Sequence, residues 1–211
     1  AAGKSLSAHF ALADDDRSLQ IVIQDIGALY PITVDPLATS PSWTVESNQA
    51  GAQLGTSVAS AGDVNGDGYD DVIVGAPLFD SGYTDGGVAA IFFGSASGPS
   101  AGADWQVQGG SNSAQLGHSV DTAGDVNGDG FMDVIVGAPG ADAAYVFYGG
   151  NPMNTTADWT GTGSSGDHYG FSVACAGDVN GDGYFDVIVG AYTAGNGGRA
   201  YVYHGSAGGV S

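Results

Sequence analysis

Basic residues are the scarcest feature of this 211-residue chain, which has only Lys4, Arg17 and Arg199 against 23 acidic residues. The formal net charge of -20 repels phosphate backbones and anionic membrane surfaces, so nucleic acid and other polyanions are excluded as partners. The same charge opposes a compact fold through self-repulsion unless cations neutralise part of it. The charge balance therefore already indicates bound metal ions.

Cysteine and long apolar runs are also nearly missing. The single Cys175 excludes a disulfide within the chain, and Ser60 and Thr122 hold its place in two related segments. We therefore interpret it as a small buried side chain and not as a nucleophile. No apolar run reaches membrane-spanning length, so membrane insertion is not expected. The first ten residues lack a signal-peptide pattern, so any export signal has been removed or lies upstream.

Helical periodicity is absent, whereas 38 glycines and strand-type alternation are present, and together these features predict an all-β fold with many tight turns. One acidic segment occurs three times, as AGDVNGDGYDDVIVGAP, AGDVNGDGFMDVIVGAP and AGDVNGDGYFDVIVGAY. Each copy lies between a predicted tryptophan strand and a strand rich in aromatic and β-branched residues. The tryptophan strands begin at Trp43, Trp105 and Trp159.

Four short strands per repeat predict β-propeller blades of four antiparallel strands. The DVIVG strand shows little polar alternation, which is typical of a strand covered on both faces. The three repeats span about 43–104, 105–158 and 159–211.

Residues 1–42 do not fit the repeat and are predicted as a separate short β segment. SAHFALA and SLQIVIQDI form a predicted hairpin around the charged turn DDDR at 14–17. A strand YPITV at 30–34 and a proline-containing linker DPLATSPS at 35–42 follow. The predicted propeller part is therefore 43–211.

Binding of a cation would explain why acidic residues are crowded in the repeated segment. The segment reads D-x-N-x-D-G-x-x-D, which presents oxygen ligands from side chains at positions 1, 3, 5 and 9 and from the carbonyl at position 7. Without an ion, three carboxylates held together repel one another by about 1 to 4 kcal/mol per pair. Ca²⁺ takes six to eight oxygens, and glycine at position 6 permits the sharp turn that presents them.

We therefore predict three Ca²⁺ sites. Mg²⁺ suits a many-oxygen loop less well, and the lack of nearby His or Cys argues against zinc and copper. A single copy could equally be a solvated Asx–Gly turn, but three copies in register favour metal binding. The predicted ligands are Asp63, Asn65, Asp67, Tyr69 and Asp71 in the first segment, Asp125, Asn127, Asp129, Phe131 and Asp133 in the second, and Asp178, Asn180, Asp182, Tyr184 and Asp186 in the third.

These units resemble FG-GAP repeats, the blades of integrin α-subunit propellers and of many bacterial surface proteins. YGFSVACAGDVNGDGYFDVIVGAY carries the pattern most fully, LG replaces YG in the first two units, and GAP becomes GAY in the third. The match covers 43–205. The resemblance implies a calcium loop between the first and second strands of each blade, with a structural ion.

The number of repeats departs from the family, whose propellers usually have about seven blades. Three blades do not close such a ring, so we expect either part of a longer propeller or a ring completed by other copies. If the tryptophan strand is the outer strand of the preceding blade, the third blade is incomplete and the first such strand is unattached. Trp43–Ser47 would then complete the third blade of a neighbouring copy in a head-to-tail homo-oligomer.

Together these observations predict a secreted or cell-surface, calcium-binding and non-enzymatic module for adhesion, ligand recognition or assembly, whose protein or glycan ligand the sequence does not name. One alternative, implied by the resemblance, is a lectin with sugar sites between blades. Another is an accessory or catalytic region of a secreted enzyme acting on polysaccharide or lipid. GTGSSG at 161–166 matches a dinucleotide pattern but lacks the helix that such a site needs, and the four histidines have no ligand spacing.

Overall fold

The computed structural model describes residues 7–12, 19–24 and 41–211. It divides into two compact units, Ala1–Ser42 and Trp43–Ser211. The described residues form β-strands and a short 3₁₀ turn, Pro139–Ala141, which confirms the predicted all-β class. No helix among the described residues is long and apolar enough to cross a membrane.

The first unit contains an antiparallel hairpin of β1 (Ser7–Leu12) and β2 (Leu19–Gln24). Ser7 lies opposite Gln24, and Leu12 lies opposite Leu19. Both strands lie within the two segments predicted to form the hairpin. Its charged turn at 14–17, the predicted strand at 30–34 and most of the proline-containing linker lie outside the described residues.

The second unit contains three antiparallel sheets, each built from consecutive strands. Sheet 1 comprises β3 (Ser57–Gly62), β4 (Asp71–Ala76), β5 (Val88–Phe92) and β6 (Trp105–Gln108). Sheet 2 comprises β7 (Ser119–Gly124), β8 (Asp133–Ala138), β9 (Ala143–Phe147) and β10 (Trp159–Thr162). Sheet 3 comprises β11 (Tyr169–Gly177), β12 (Asp186–Ala191) and β13 (Arg199–Tyr203). The predicted four-stranded blade is confirmed in sheets 1 and 2.

The tryptophan strands close the preceding sheet and do not open the next one. β6 pairs with β5, and β10 pairs with β9, so each sheet is offset by one strand from the repeat in the sequence. Sheet 3 has three strands within the described residues. The prediction of a strand at Trp43 is wrong, because residues 43–47 pair with no described strand.

The second strand of each sheet forms the buried centre of the fold. β8 is buried along its whole length, and β4 is buried except for one half-buried residue. Ile73 and Ile135 are both inaccessible to solvent. Because sheets 1 and 3 cover both faces of β8, its sequence is apolar without alternation, as predicted.

Neighbouring sheets are joined along their first strands. Ser57 Oγ accepts a hydrogen bond from the backbone N–H of Val120 at 3.0 Å, and Ser119 Oγ accepts one from Val173 at the same distance. The serine at this repeat position therefore holds the first strand of the following sheet at both junctions.

Two glycines lie directly against the backbone of the next sheet. A Cβ on Gly75 in β4 would overlap the carbonyl oxygen of Gly117, which precedes β7. A Cβ on Gly137 in β8 would overlap the carbonyl oxygen of Gly170 in the same way. A Cβ on Gly117 would in turn overlap the carbonyl oxygen of Val88, so the glycine of the VGA strand and the glycine of the next LG pair are both required at this junction.

Each tryptophan packs on the third strand of the sheet that follows it. The rings of Trp105 and Phe147 lie 5.1 Å apart in a T-shaped arrangement, and Trp105 Nε1 donates to the carbonyl oxygen of Asn154 at 2.6 Å. Trp43 makes the equivalent contact with Phe92 at 5.1 Å, although its own segment is not a strand. The tryptophan therefore links two sheets, and this role does not depend on strand pairing.

Candidate metal-binding loops

The predicted ligands lie in three loops, each of which joins the first and second strands of a sheet. We define loop 1 as residues 63–71, loop 2 as residues 125–133 and loop 3 as residues 178–186. Position 9 of each loop is also the first residue of β4, β8 or β12. The rigid second strand therefore fixes one end of every loop.

The aspartate at position 1 organises the turn. In loop 1, Asp63 Oδ1 accepts hydrogen bonds from the backbone N–H groups of Gly66 at 2.7 Å and Asp67 at 3.0 Å, while Oδ2 accepts one from Gly68 at 2.8 Å. Gly68 has a φ of 91°, a value that favours glycine. Loops 2 and 3 repeat these three bonds at Asp125 and Asp178. The carboxylate at position 1 thus determines the curvature of the loop.

The side chains at positions 3 and 5 contact each other directly. Asn65 Oδ1 accepts a hydrogen bond from the Asp67 backbone N–H at 2.9 Å, and Asn65 Nδ2 donates to Asp67 Oδ2 at 3.0 Å. Asp67 Oδ1 accepts from the Tyr69 backbone N–H at 2.9 Å. The same contacts recur in the other two loops. Repetition of this pattern shows that the repeated sequence specifies one loop conformation.

The aspartate at position 9 is buried and is held by two backbone donors. Asp133 Oδ2 accepts a hydrogen bond from Val126 N–H, and Oδ1 accepts one from Gly149 N–H, both at 2.8 Å. Burial raises the pKa of Asp133 to about 7, and the nearby charges of Asp129 and Asp125 act in the same direction. The two hydrogen bonds oppose this rise without cancelling it. A buried carboxylate in this position is stabilised by any nearby positive charge.

Asp71 and Asp186 occupy the equivalent buried positions in different surroundings. Burial raises the pKa of Asp71, with Asp67 and Asp63 adding to the effect. Burial also raises the pKa of Asp186, but hydrogen bonds from Gly205 and Val179 and the contact with His204 outweigh it and lower the pKa overall. His204 Nδ1 lies 3.3 Å from Asp186 Oδ2. Loop 3 therefore differs electrostatically from the other two.

Sequence reasoning missed the groups that hold position 9 from the third strand. The N–H groups of Gly94, Gly149 and Gly205 donate to the three aspartates, and His204 contacts the last of them. These glycines follow the aromatic third strand of each repeat, a regularity that the sequence does contain. Nothing in the sequence indicated that His204, which replaces Phe93 and Tyr148, lies against Asp186.

The donor chemistry of each loop fits a hard cation. Within residues 41–211 and the two described strands of the first unit, no three His, Cys, Asp or Glu side chains are placed closely enough to hold a metal ion. Each carboxylate oxygen of Asp71 uses one lone pair on a backbone N–H and keeps another, so ligation does not require these hydrogen bonds to break. Three carboxylates, an amide oxygen and a backbone carbonyl form the oxygen set that Ca²⁺ prefers. The assignment of individual ligands remains a prediction.

Comparison with known proteins identifies the repeats. The sequence model of the FG-GAP repeat matches residues 54–92, and that of the FG-GAP-like repeat matches residues 125–189. These matches include all three loops.

Several integrin α subunits are similar over most of this chain. Integrin alpha pat-2 of Caenorhabditis briggsae is 37% identical over 175 residues, covering 71% of this chain and 14% of its own length. Integrin alpha-PS2 of Drosophila melanogaster is 31% identical over 205 residues, covering 86% of this chain and 14% of its own length. Integrin alpha-4 of Xenopus laevis is 27% identical over 180 residues, covering 80% and 17%. The chain spans less than a fifth of the length of each of these relatives. With its repeated loops, its four-stranded sheets and these similarities, the chain belongs to the FG-GAP repeat family of integrin-α-like β-propellers.

Proposed function

We propose that residues 43–211 form a calcium-stabilised, non-enzymatic module of three propeller repeats, exposed outside the cell and used for adhesion, ligand recognition or assembly. The observation that carries the proposal is the recurrence of one oxygen-rich loop, with the same hydrogen bonds, at the same place in all three sheets. Residues 1–42 are proposed as a separate β segment.

In each loop, the side chains at positions 1, 3, 5 and 9 and the carbonyl at position 7 would hold the ion. Bound Ca²⁺ supplies positive charge that offsets the repulsion among three carboxylates. The aspartate at position 1 keeps the turn closed through its backbone hydrogen bonds, and the buried aspartate at position 9 attaches the turn to the second strand. Metal binding in such a loop becomes part of the free energy of folding.

An extracellular setting fits the charge and the metal together. Extracellular modules bind calcium weakly, with dissociation constants of about 10⁻⁴ to 10⁻³ M, a range in which exposed carboxylate loops suffice. A chain with a net charge of -20 also gains more from bound cations than a neutral one. The similarity to integrin α subunits supports a role in adhesion or recognition of a protein ligand.

Assembly is proposed to use the two outer faces of the row of sheets. Val58 is exposed in sheet 1, whereas Val120 and Val173 at the same repeat position are buried by the preceding sheet. Val179 of loop 3 is exposed, whereas Val64 and Val126 are buried by the following sheet. These faces fit further blades, supplied by the same polypeptide or by a second copy. In a head-to-tail assembly of copies, Trp43–Ser47 of one copy would complete sheet 3 of the next. A monomeric mass in light scattering would count against the second arrangement.

Calorimetric titration with Ca²⁺ tests the central proposal. The wild-type protein is expected to take up three ions, and Asp67→Ala, Asp129→Ala and Asp182→Ala should each remove one. Asp70→Ala is the matched control, because Asp70 lies within loop 1 at position 8, which offers no predicted ligand, and its side chain is exposed. Absence of Ca²⁺ uptake by the wild-type protein would overturn the proposal.

A glycan is a second candidate ligand, favoured by a surface cluster of aromatic rings. The rings of Phe171 and Tyr192 are exposed and lie 4.6 Å apart, and the rings of His118 and His168 contact them at 4.5 and 5.0 Å. Exposed aromatic faces pack well against the apolar faces of neutral sugars. Binding to a glycan array that is lost in Tyr192→Ala and retained in Tyr83→Ala, an exposed tyrosine elsewhere, would support this candidate. No binding by the wild-type protein would remove it.

A further inference from the structure

The three loops are physically connected, because loops 1 and 2 are each held by the sheet that follows them. The backbone N–H of Met132 donates to the carbonyl oxygen of Asp63 at 3.1 Å, and that of Phe185 donates to the carbonyl oxygen of Asp125 at 3.2 Å. Position 8 of one loop thus bonds to position 1 of the loop before it. The loops form a linear series in which loop 2 contacts both others.

A chain of peptide groups joins the buried aspartates of loops 1 and 2. Val64 N–H donates to Asp71 Oδ2 at 3.0 Å, and the Val64 carbonyl oxygen accepts from Gly150 N–H at 2.7 Å. The preceding residue, Gly149, donates its N–H to Asp133 Oδ1 at 2.8 Å. The two carboxylates at position 9 are therefore linked through three hydrogen bonds and the backbone of Val64 and Gly149.

The same path joins loops 2 and 3. Val126 N–H donates to Asp133 Oδ2 at 2.8 Å, and its carbonyl oxygen accepts from Ser206 N–H at 3.0 Å. Gly205 N–H then donates to Asp186 Oδ1 at 2.9 Å. Because the same hydrogen bonds occur at both junctions, the connection is a regular feature of the contact between adjacent sheets.

An aromatic ring supports each preceding turn from the side. A Cβ placed on Gly66 would lie 2.6 Å from Cε1 of Phe131, and a Cβ on Gly128 would lie 2.6 Å from Cε1 of Tyr184. Gly66 and Gly128 carry the N–H groups that bind the position-1 carboxylates of loops 1 and 2. The ring at position 7 of one loop therefore restrains the turn of its neighbour.

We propose that calcium binding at adjacent loops is positively coupled, between loops 1 and 2 and between loops 2 and 3, and that loops 1 and 3 are coupled only through loop 2. This inference rests on the proposed calcium binding. Ordering the turn of one loop also orders peptide groups that the neighbouring loop must fix, so the second binding event loses less conformational entropy.

Amide NMR signals of Gly68, Gly130 and Gly183 can report each loop separately, because each of these N–H groups donates to its own position-1 carboxylate. In Asp129→Ala, which disables loop 2, we expect the Ca²⁺ affinities of loops 1 and 3 to fall about five-fold or more. In Asp182→Ala, loop 2 should weaken by a similar factor while loop 1 changes by less than about two-fold.

Removing one ring should cut one connection selectively. In Phe131→Ala, the Ca²⁺ affinity of loop 1 should depend less on whether loop 2 binds Ca²⁺. The Ca²⁺ affinity of loop 3 should depend on loop 2 as it does in the wild-type protein. Tyr83→Ala is the matched control, since it removes an exposed aromatic ring outside the loops and should leave both dependences unchanged.

The outcomes separate this inference from the proposed function. If every intact loop binds Ca²⁺ but Asp129→Ala leaves loops 1 and 3 within about two-fold of the wild-type affinities, the coupling is refuted and calcium binding stands. If none of the three reporters responds to Ca²⁺ in the wild-type protein, both fall. If Asp129→Ala fails to fold, Asp182→Ala and Phe131→Ala decide by the same criteria.

Discussion

Sheet 2 lies between sheets 1 and 3. Equivalent residues of the three sheets have nearly the same sequence but different surroundings. Val120 is 4% exposed and Val58 is 64% exposed, although both follow the same glycine-x-serine pattern. Val126 is 0% exposed and Val179 is 56% exposed at position 2 of their loops. The difference shows that these side chains are placed to pack against a neighbouring sheet and not against their own.

This arrangement makes the junction the unit of stability. In repeat proteins, each unit contributes an intrinsic term and an interface term, and a unit without a neighbour lacks the second. Here loops 1 and 2, the contacts of Trp105 and Trp159 and the serine hydrogen bonds all lie at junctions between sheets. Changes at a junction should therefore cost more than the same change at an outer face.

Removing calcium tests this comparison most severely, because every junction contains a loop. A ligand at ten-fold to hundred-fold excess over its dissociation constant stabilises by about 1.4 to 2.7 kcal/mol per site. For three sites the melting temperature should fall by about 10 °C or more in a chelator, since 1 kcal/mol shifts a domain of this size by about 2 to 4 °C. Calorimetry with and without Ca²⁺ measures the shift, and identical melting curves would contradict the role given to the loops.

Tryptophan truncation compares two equivalent contacts directly. Trp105→Ala should cost about 3 to 5 kcal/mol, because Trp105 is buried, pairs as part of β6 and packs on Phe147. Trp43→Ala should cost clearly less, because Trp43 is half-buried and belongs to no strand. Urea unfolding in the presence of Ca²⁺ gives both values, and equal costs would show that strand pairing adds nothing to this contact.

The valine pair gives a finer comparison. Val120→Ala should destabilise by about 2 kcal/mol through lost burial and a small cavity. Val58→Ala should stay within about 0.5 kcal/mol of the wild type, as exposed positions usually do. The same urea unfolding experiment applies, and a large loss at Val58 would indicate that its face is covered in solution, as in the proposed assembly.

The smallest expected effect concerns the reactivity of the single thiol. Burial raises the pKa of Cys175, so at pH 8 less of it is thiolate than in an ordinary exposed cysteine, and alkylation should be slow. Ser60→Cys in a Cys175→Ser background places a thiol at the equivalent exposed position of sheet 1 and should react faster. Mass spectrometry measures the rate at which each thiol reacts with a maleimide. Equal rates would contradict the expected difference between positions 60 and 175.

The repeated segment allowed most of the fold to be predicted. DVIVG predicted a buried strand because a strand covered on both faces has no polar alternation, and the turn residues predicted the loops because only glycine suits position 6. The prediction that each repeat opens with its own tryptophan strand was wrong at Trp43. Strand formation needs a partner, and the partner of β6 and β10 lies in the preceding sheet.

The contacts around position 9 show where sequence reasoning stops. Asp71 and Asp186 look alike in sequence, but only the second has His204 beside it, and their pKa values shift in opposite directions. The N–H donors of Gly94 and Gly205 come from a strand distant in sequence. Such groups are brought to the loop by sheet pairing, and the recurring glycine does not by itself indicate which side chain its N–H contacts.

The close approach of Gly75 to Gly117, repeated by Gly137 and Gly170, has an evolutionary consequence. Each repeat unit contains both kinds of glycine, one of the LG or YG pair near its start and one in its second strand. A tandem duplication of the gene segment therefore yields a copy that already fits its parent on either side. Repeat arrays of this type can therefore gain units without evolving a new complementary surface. Loss of either glycine would disrupt the contact between two adjacent sheets.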